Sequence, residues 1–142
     1  MERSTDRSDL NLYAPDVTQR TYAQLAQLAV QVVQAGYTAV VDATFLRQAH
    51  RDAFRHLAAQ LNVPCTILEF RAPAETLRRR VAQRSAQAND ASEADLAVLH
   101  GQFAALDPLT AEEQASALTT DTEAPQAPQR LLEAVRAQEE EP

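Results

Sequence analysis

Helical and strand-like segments alternate along this chain, and the alternation constrains its fold more than any other feature. An amphipathic segment over about 16–35 ends at Gly36, and glycine suits the left-handed residue that closes a helix. The continuously apolar segment 38–42 follows, as expected for a strand buried on both faces of a sheet. Strands that alternate with helices join through right-handed crossovers into a parallel sheet with helices on both faces.

The whole pattern predicts helix, strand, helix, strand, helix, helix, strand and helix in that order. The approximate bounds are 16–35, 38–42, 47–61, 65–70, 74–87, 92–106, 117–121 and 127–138. We predict an α/β fold with a three-layer open parallel sheet. An open sheet of this kind normally carries a phosphate-binding turn after its first strand. Because no strand precedes the first helix, we expect the sheet to be incomplete, lacking its first strand and the helix after it.

Length and charge limit the classes of protein to which the chain can belong. The 142 residues suit one domain, which we place at 17–138, between a polar lead-in over 1–16 and an acidic tail over 139–142. A net charge of −7 argues against a nucleic-acid partner. The single Cys65 fits a reducing compartment, and no apolar segment reaches membrane-spanning length. We expect a cytoplasmic protein without a membrane or nucleic-acid partner.

Asp42 ends the first predicted strand, and Thr44 follows two residues later. Ligands of open α/β sheets bind beyond the carboxyl ends of the strands. A carboxylate there can hold a metal-bound water or accept a proton from a substrate hydroxyl. The alternative is a turn or helix-capping aspartate, which the spacing alone leaves open.

Arg80 and Arg84 are four residues apart in a predicted helix and therefore project from one face of it. Two guanidinium groups on that face could stabilise the charge of a transferring phosphoryl group. A solvated helix face is the competing interpretation. Arg51, early in the helix after Asp42, and Asp121, after the last strand, are weaker candidates for nucleotide contacts. No histidine or cysteine spacing indicates a metal site.

The chain contains no lysine, because all 13 of its basic residues are arginine, and it has only two glycines, Gly36 and Gly101. A phosphate loop needs several glycines that let the backbone wrap phosphates, followed by Lys and Ser or Thr. An arginine-rich coding bias can also remove lysine from a whole chain. The glycines and the lysine of a phosphate loop are nevertheless both missing.

The segment Val40-Val41-Asp42-Ala43-Thr44-Phe45-Leu46 with Arg51 resembles the D-A-T…R segment of small P-loop kinase-like proteins. These are often labelled AAA-family ATPases and are similar to polynucleotide kinases, zeta toxins and gluconate kinases. Ala72-Pro73 with Leu77, Arg80 and Arg84 resembles their lid entry. Asp90-Ala91-Ser92, Gln102 and Pro108-Leu109 resemble a subgroup fused to aminoglycoside-phosphotransferase-like domains. The resemblance runs from about 13 to 121.

The resemblance implies a fold of the P-loop NTPase kinase type and ATP-dependent phosphoryl transfer, with Mg²⁺, to a small hydroxyl-bearing acceptor. It implies catalytic roles for Asp42, Arg80 and Arg84, and nucleotide contacts from Thr44 and Arg51. Asp121 stays a candidate nucleotide contact from its position after the last strand. Without a phosphate loop, we expect an N-terminally truncated or split kinase that is inactive alone. The expected partner is a complementing N-terminal fragment or a second copy at an exposed sheet edge. A non-enzymatic interaction or regulatory module is the alternative.

Overall fold

A computed structural model of the chain describes residues 15–87 and 93–140. Within them the helices and strands are α1 (Pro15–Gln34), α2 (Gln48–Gln60), β1 (Leu68–Arg71), α3 (Ala74–Gln87), α4 (Glu93–Ala105), α5 (Ala111–Ser116), β2 (Leu118–Asp121) and α6 (Ala127–Glu139). The described residues form two compact units. Residues 15–45 and 50–63 form the first unit, and residues 46–49, 64–87 and 93–140 form the second.

The two helices of the first unit end in the same way. Gly36 has a φ of 88° and Asn62 a φ of 55°, so both residues occupy the left-handed region. Beyond each, a backbone N–H reaches back five residues, from Tyr37 to the Val32 carbonyl (3.2 Å) and from Val63 to the Ala58 carbonyl (3.0 Å). These bonds satisfy carbonyls that a helix end leaves open. The predicted ends of both helices are therefore confirmed.

An aromatic cluster joins α1, α2 and the loop before α2 within the first unit. The rings of Tyr22 and His50 stack with centroids 4.0 Å apart. Phe45 lies 5.2 Å from Tyr22 and 5.2 Å from Phe54, edge-on to the latter. Offset and edge-to-face contacts of this kind add to the free energy gained by removing the rings from water. This cluster fixes the loop that carries Asp42 and Thr44.

The predicted strand over 38–42 is wrong, because the described structure contains no strand in that segment. The segment was expected to be buried on both faces, but Val40 is 83% exposed. A strand is stabilised by ladder hydrogen bonds to a neighbour and by packing on its faces. Neither is present around Val40, so an apolar composition alone does not make a strand here.

The sheet of the second unit has two parallel strands, β1 and β2. Leu68 lies opposite Leu118, and Arg71 lies opposite Asp121. The strand predicted over 65–70 is therefore confirmed with a shift, since β1 begins at Leu68, and the prediction over 117–121 is confirmed by β2. The fold is mixed helix and strand, as in α/β domains, but only two of the three predicted strands are formed in the described residues.

Helices cover part of this small sheet. α6 packs against β2, and the buried side chain of Ala127 lies at its start. α3 and α4 pack together, with the Ser85 hydroxyl donating to the Asp95 carboxylate. A groove of about 370 Å³ is lined by side chains of the sheet and of α6, among them Leu68, Phe70 and Leu132. The sheet face is therefore only partly covered.

Helix α5 was missing from the sequence prediction, although its signal is present. Thr110 is the N-cap, and its hydroxyl accepts the Glu113 N–H at 3.2 Å. The fully buried Glu113 carboxylate accepts the Thr110 N–H at 2.8 Å. This reciprocal arrangement is a capping box, which a Thr followed three residues later by Glu predicts.

Replacing Thr110 with alanine is expected to destabilise the second unit by about 1 kcal/mol, because the Glu113 N–H loses its acceptor. Urea unfolding followed by circular dichroism measures the change. Thr110→Ser keeps the hydroxyl and is the control, which we expect to unfold within about 0.5 kcal/mol of the parent chain. Equal losses for the two variants would contradict the capping role.

Some sequence predictions fall outside the described residues. These are most of the lead-in over 1–16, the helix break over 89–92 and the last two residues of the acidic tail. Pro15 and Asp16, assigned to the lead-in, already belong to α1. Among the helices of 15–87 and 93–140, none combines the length and apolar character that crossing a membrane needs.

Candidate functional site

The predicted site residues fall into two groups, one in each unit. Asp42, Thr44 and Arg51 belong to the first unit. Arg80, Arg84 and Asp121 belong to the second unit. Each group is described within its own unit. Three features position them: the loop before α2, helix α3 and the carboxyl end of the sheet.

In the first unit, Asp42 and Thr44 are both exposed. The Thr44 hydroxyl lies 3.4 Å from the hydroxyl of Tyr22, a member of the aromatic cluster. Asp42 precedes this anchored residue by two positions. Both residues therefore lie at the surface of this loop, and the catalytic role of Asp42 and the nucleotide contact of Thr44 stay predictions.

Phe45 holds the loop in an unusual conformation. Its φ is 44°, in the left-handed region that a bulky aromatic residue rarely adopts. Its N–H donates to the Tyr22 hydroxyl at 2.9 Å, and its carbonyl accepts from Arg51 Nη1 at 3.0 Å. Strained residues persist where their surroundings fix them from several sides. Here two side chains from two helices bind both backbone groups of Phe45.

Arg51 is therefore a positioning residue of this loop. Only 5% of its surface is exposed, and its guanidinium reaches the Phe45 carbonyl. Its predicted nucleotide contact is not tested by this geometry and stays a prediction. The observed contact acts on Asp42 and Thr44 through the backbone that joins them to Phe45.

In the second unit, Arg80 reaches the carboxyl end of the parallel sheet. Its Nη1 donates to the Thr122 hydroxyl at 2.7 Å, and its Nη2 lies 3.5 Å from the Thr122 carbonyl. Thr122 directly follows β2, and its N–H donates to the Arg71 carbonyl at the end of β1 (2.8 Å). Arg80 is thus fixed at the edge where open α/β sheets bind ligands.

Glu123 organises the loop after β2. Its carboxylate accepts a hydrogen bond from the buried Thr76 hydroxyl and lies 3.6 Å from Arg79 Nη2. Its N–H donates to the Asp121 carboxylate at 2.9 Å. The loop is therefore held by two residues of α3, Thr76 and Arg79, which lie four residues and one residue before Arg80.

Arg84 and Asp121 complete the second group. Arg84 is exposed one turn after Arg80 on α3, so the two side chains share a face of the helix. Asp121 is the last residue of β2 and is also exposed. Arg80 and Asp121 are brought to the same sheet end, since Thr122 is the neighbour of one and the hydrogen-bond partner of the other.

The described residues contain no cluster of three or more His, Cys, Asp or Glu side chains suited to a metal ion. Mg²⁺ in phosphoryl-transfer sites is generally held by one or two carboxylates together with substrate phosphates and waters. Asp42 and Thr44 are exposed in one loop, and a single carboxylate with a hydroxyl is the kind of partial donor set that such sites use.

A family model described as an AAA domain matches residues 1–109 of the chain. The chain belongs to the AAA domain family. Membership makes this AAA domain a P-loop NTPase-like module of the kinase type, with nucleotide binding as its general property. The matched range includes Asp42, Thr44, Arg51, Arg80 and Arg84, and it ends before β2. No curated protein and no solved structure matches the chain.

Sequence reasoning missed three residues that shape the site of this AAA domain: Tyr22, Thr76 and Glu123. Tyr22 acts on a residue 23 positions away, and Thr76 acts on one 47 positions away. Neither has a local pattern that indicates its partner. The position of Glu123 had a usable signal, because Asp121 at the strand end can accept the N–H two residues later in a turn.

Proposed function

We propose that this AAA domain supplies the phosphate-facing arginines of an ATP-dependent kinase that phosphorylates a small hydroxyl-bearing acceptor. The observation that carries the proposal is Arg80, whose guanidinium is fixed by Thr122 at the carboxyl end of the parallel sheet. A guanidinium has five N–H donors, so several remain for phosphate oxygens beyond those used on Thr122. Arg84, one turn further along α3, adds a second charge of the same kind.

The residues present fit the charged part of Mg-ATP. Arg80 and Arg84 of the second unit would bind phosphate oxygens. Asp42 and Thr44 of the first unit are proposed separately to hold the water shell of Mg²⁺ or to receive the acceptor hydroxyl. Mg²⁺ bound with ATP neutralises charge on the phosphates. Arg51 keeps the loop of Asp42 in place through the Phe45 carbonyl.

The 142 residues contain no lysine and only two separate glycines. We therefore propose that a segment outside these 142 residues supplies the glycine-rich phosphate loop and completes the three-layer parallel sheet. Backbone N–H groups and a lysine together position the β- and γ-phosphates in P-loop enzymes. The chain alone lacks both contributions and is proposed to be inactive by itself.

The test is a nucleotide titration with and without a strand–loop–helix polypeptide that carries G-x-x-x-x-G-K-[ST]. The chain alone is expected to release no phosphate from Mg-ATP above the uncatalysed rate. With the polypeptide, saturable ATP binding is expected by calorimetry, because loop amides, lysine and lid arginines then act together. The same polypeptide with its lysine replaced by alanine is the control. A flat titration with the intact polypeptide would contradict the proposal.

The alternative function is a non-enzymatic interaction or regulatory module. The exposed apolar side chains of Leu68 and Phe70, which line one groove of the second unit, favour it, at 38% and 60% exposure. Surfaces of this kind mark binding sites for other chains when they are contiguous. ATP turnover by the complemented domain would exclude a purely non-enzymatic function.

A further inference from the structure

Strand β1 has one bonded neighbour among the described strands, so its other edge is open. The Ile67 carbonyl accepts the Leu118 N–H at 2.9 Å, and the Arg71 carbonyl accepts the Thr122 N–H at 2.8 Å. In a parallel ladder the backbone groups of alternate residues point to opposite sides of the strand. Those of Leu68 and Phe70 therefore point away from β2, toward the open edge.

The side chains at this edge separate into an apolar face and a charged face. Leu68 and Phe70 line the groove beside α6 and are 38% and 60% exposed. On the opposite face, Glu69 and Arg71 lie 3.0 Å apart as an ion pair. Successive side chains of a strand alternate between its faces, which accounts for this division.

We propose that two copies of this chain associate through antiparallel pairing of their β1 edges, centred on Phe70. The proposal does not rest on the proposed enzymatic function. The pairing makes a four-stranded sheet in which both β1 strands are central. It also covers Leu68 and Phe70, whose exposure a two-stranded sheet leaves unexplained.

The backbone and the charges favour one register. With Phe70 opposite Phe70 of the second copy, the outward N–H and C=O groups of both residues bond to each other. Glu69 then lies opposite Arg71 of the second copy, and Arg71 opposite Glu69 of the second copy. These are non-hydrogen-bonded pairs, in which side chains approach most closely. Each chain contributes one charge of each sign, so the arrangement is self-complementary.

Neighbouring registers lose this complementarity. A register centred on residue 69 places the two Glu69 carboxylates opposite each other, and a register centred on residue 71 places the two Arg71 guanidinium groups opposite each other. Like charges directly opposite destabilise a strand pair. A register centred on residue 68 places Glu69 opposite the apolar Ile67. Only the Phe70-centred register pairs every charge with its opposite.

The test uses charge reversal in the full chain. Arg71→Glu places Glu opposite Glu at both pairs, and Glu69→Arg places Arg opposite Arg. Each single variant alone is expected to dimerise at least about tenfold more weakly than the parent chain. A 1:1 mixture of the two variants is expected to form heterodimers, because every cross-strand pair then joins opposite charges. Sedimentation velocity at about 1–200 μM, a range that brackets micromolar dissociation constants, measures these species.

Two further variants separate interface effects from folding effects. Glu69→Arg combined with Arg71→Glu restores both pairs in every copy and is expected to dimerise as the parent does. Arg130→Glu makes the same charge reversal on the exposed surface of α6 and is expected to leave dimerisation unchanged. A parent chain that stays monomeric over the range overturns the proposal. So do single variants that dimerise normally, or a mixture that stays monomeric.

Discussion

Replacing Arg51 with methionine is expected to lower the free energy of unfolding by about 2–3 kcal/mol, although the two side chains are similar in length. Arg51 is 5% exposed and donates to the Phe45 carbonyl at 3.0 Å. Methionine fills the space but leaves a part-buried carbonyl without its donor. The strained φ of 44° at Phe45 then loses one of its two anchors. Chemical denaturation followed by circular dichroism measures the loss.

Arg55→Met is the matched control, one turn further along α2. Arg55 forms an ion pair with Asp52 at 3.5 Å, and its side chain is 29% exposed. Partly exposed ion pairs on a helix contribute less than about 1 kcal/mol, so a correspondingly small change is expected. If both variants lost the same stability, burial of Arg51 and its contact with Phe45 would not explain the effect.

The helices could be predicted from sequence because the residues that end them act locally. Gly36 and Asn62 take left-handed conformations at the ends of α1 and α2, and Pro73 immediately precedes α3. A cap depends on residues within about one turn, so its pattern is contained in the sequence. Helix α5 obeys the same rule through Thr110 and Glu113, and attention to that pair would have identified it.

Strands depend on partners elsewhere in the chain, and the predictions were weaker for that reason. Residues 38–42 have the composition of a buried strand but pair with no strand of the described structure. β1 begins at Leu68, where pairing with Leu118 starts, and the apolar residues before it do not belong to the strand. Composition indicates that a segment can be buried, whereas the ladder decides whether it forms a strand.

In the candidate site too, the sequence predicted what depends on local spacing and did not predict the long-range contacts. The four-residue spacing of Arg80 and Arg84 placed both arginines on one face of α3, and both are exposed on that helix. The anchor of Arg80 on Thr122 joins positions 42 residues apart, and no helical or strand period connects them. Contacts of this range depend on the three-dimensional fold, which brings α3 beside the loop after β2.

Replacing Arg80 with alanine is expected to lower the kcat of phosphoryl transfer by the complemented domain at least about 100-fold. In other enzymes, losing one fixed hydrogen-bond donor to the charge of the transition state has an effect of this size. The Thr122 hydroxyl, 2.7 Å from Nη1, holds the guanidinium before the nucleotide binds. Because the guanidinium is already held in place, less entropy is lost on reaching the transition state. Steady-state turnover measured with a coupled ADP assay, over a range of ATP concentrations, separates kcat from KM.

Arg78→Ala is the matched control, since Arg78 is exposed on the same helix, two residues before Arg80. Residues two apart lie on different faces of a helix, so Arg78 does not share the face of Arg80 and Arg84. Its loss is expected to change kcat less than about threefold, since long-range effects of one exposed charge are screened by salt. Arg80→Lys keeps the charge but not the planar fork, and we expect its kcat to lie between those of the parent and Arg80→Ala. Equal kcat values for Arg80→Ala and Arg78→Ala would mean that the anchored guanidinium does not act on the phosphates, and that Thr122 fixes Arg80 for the stability of the sheet end alone.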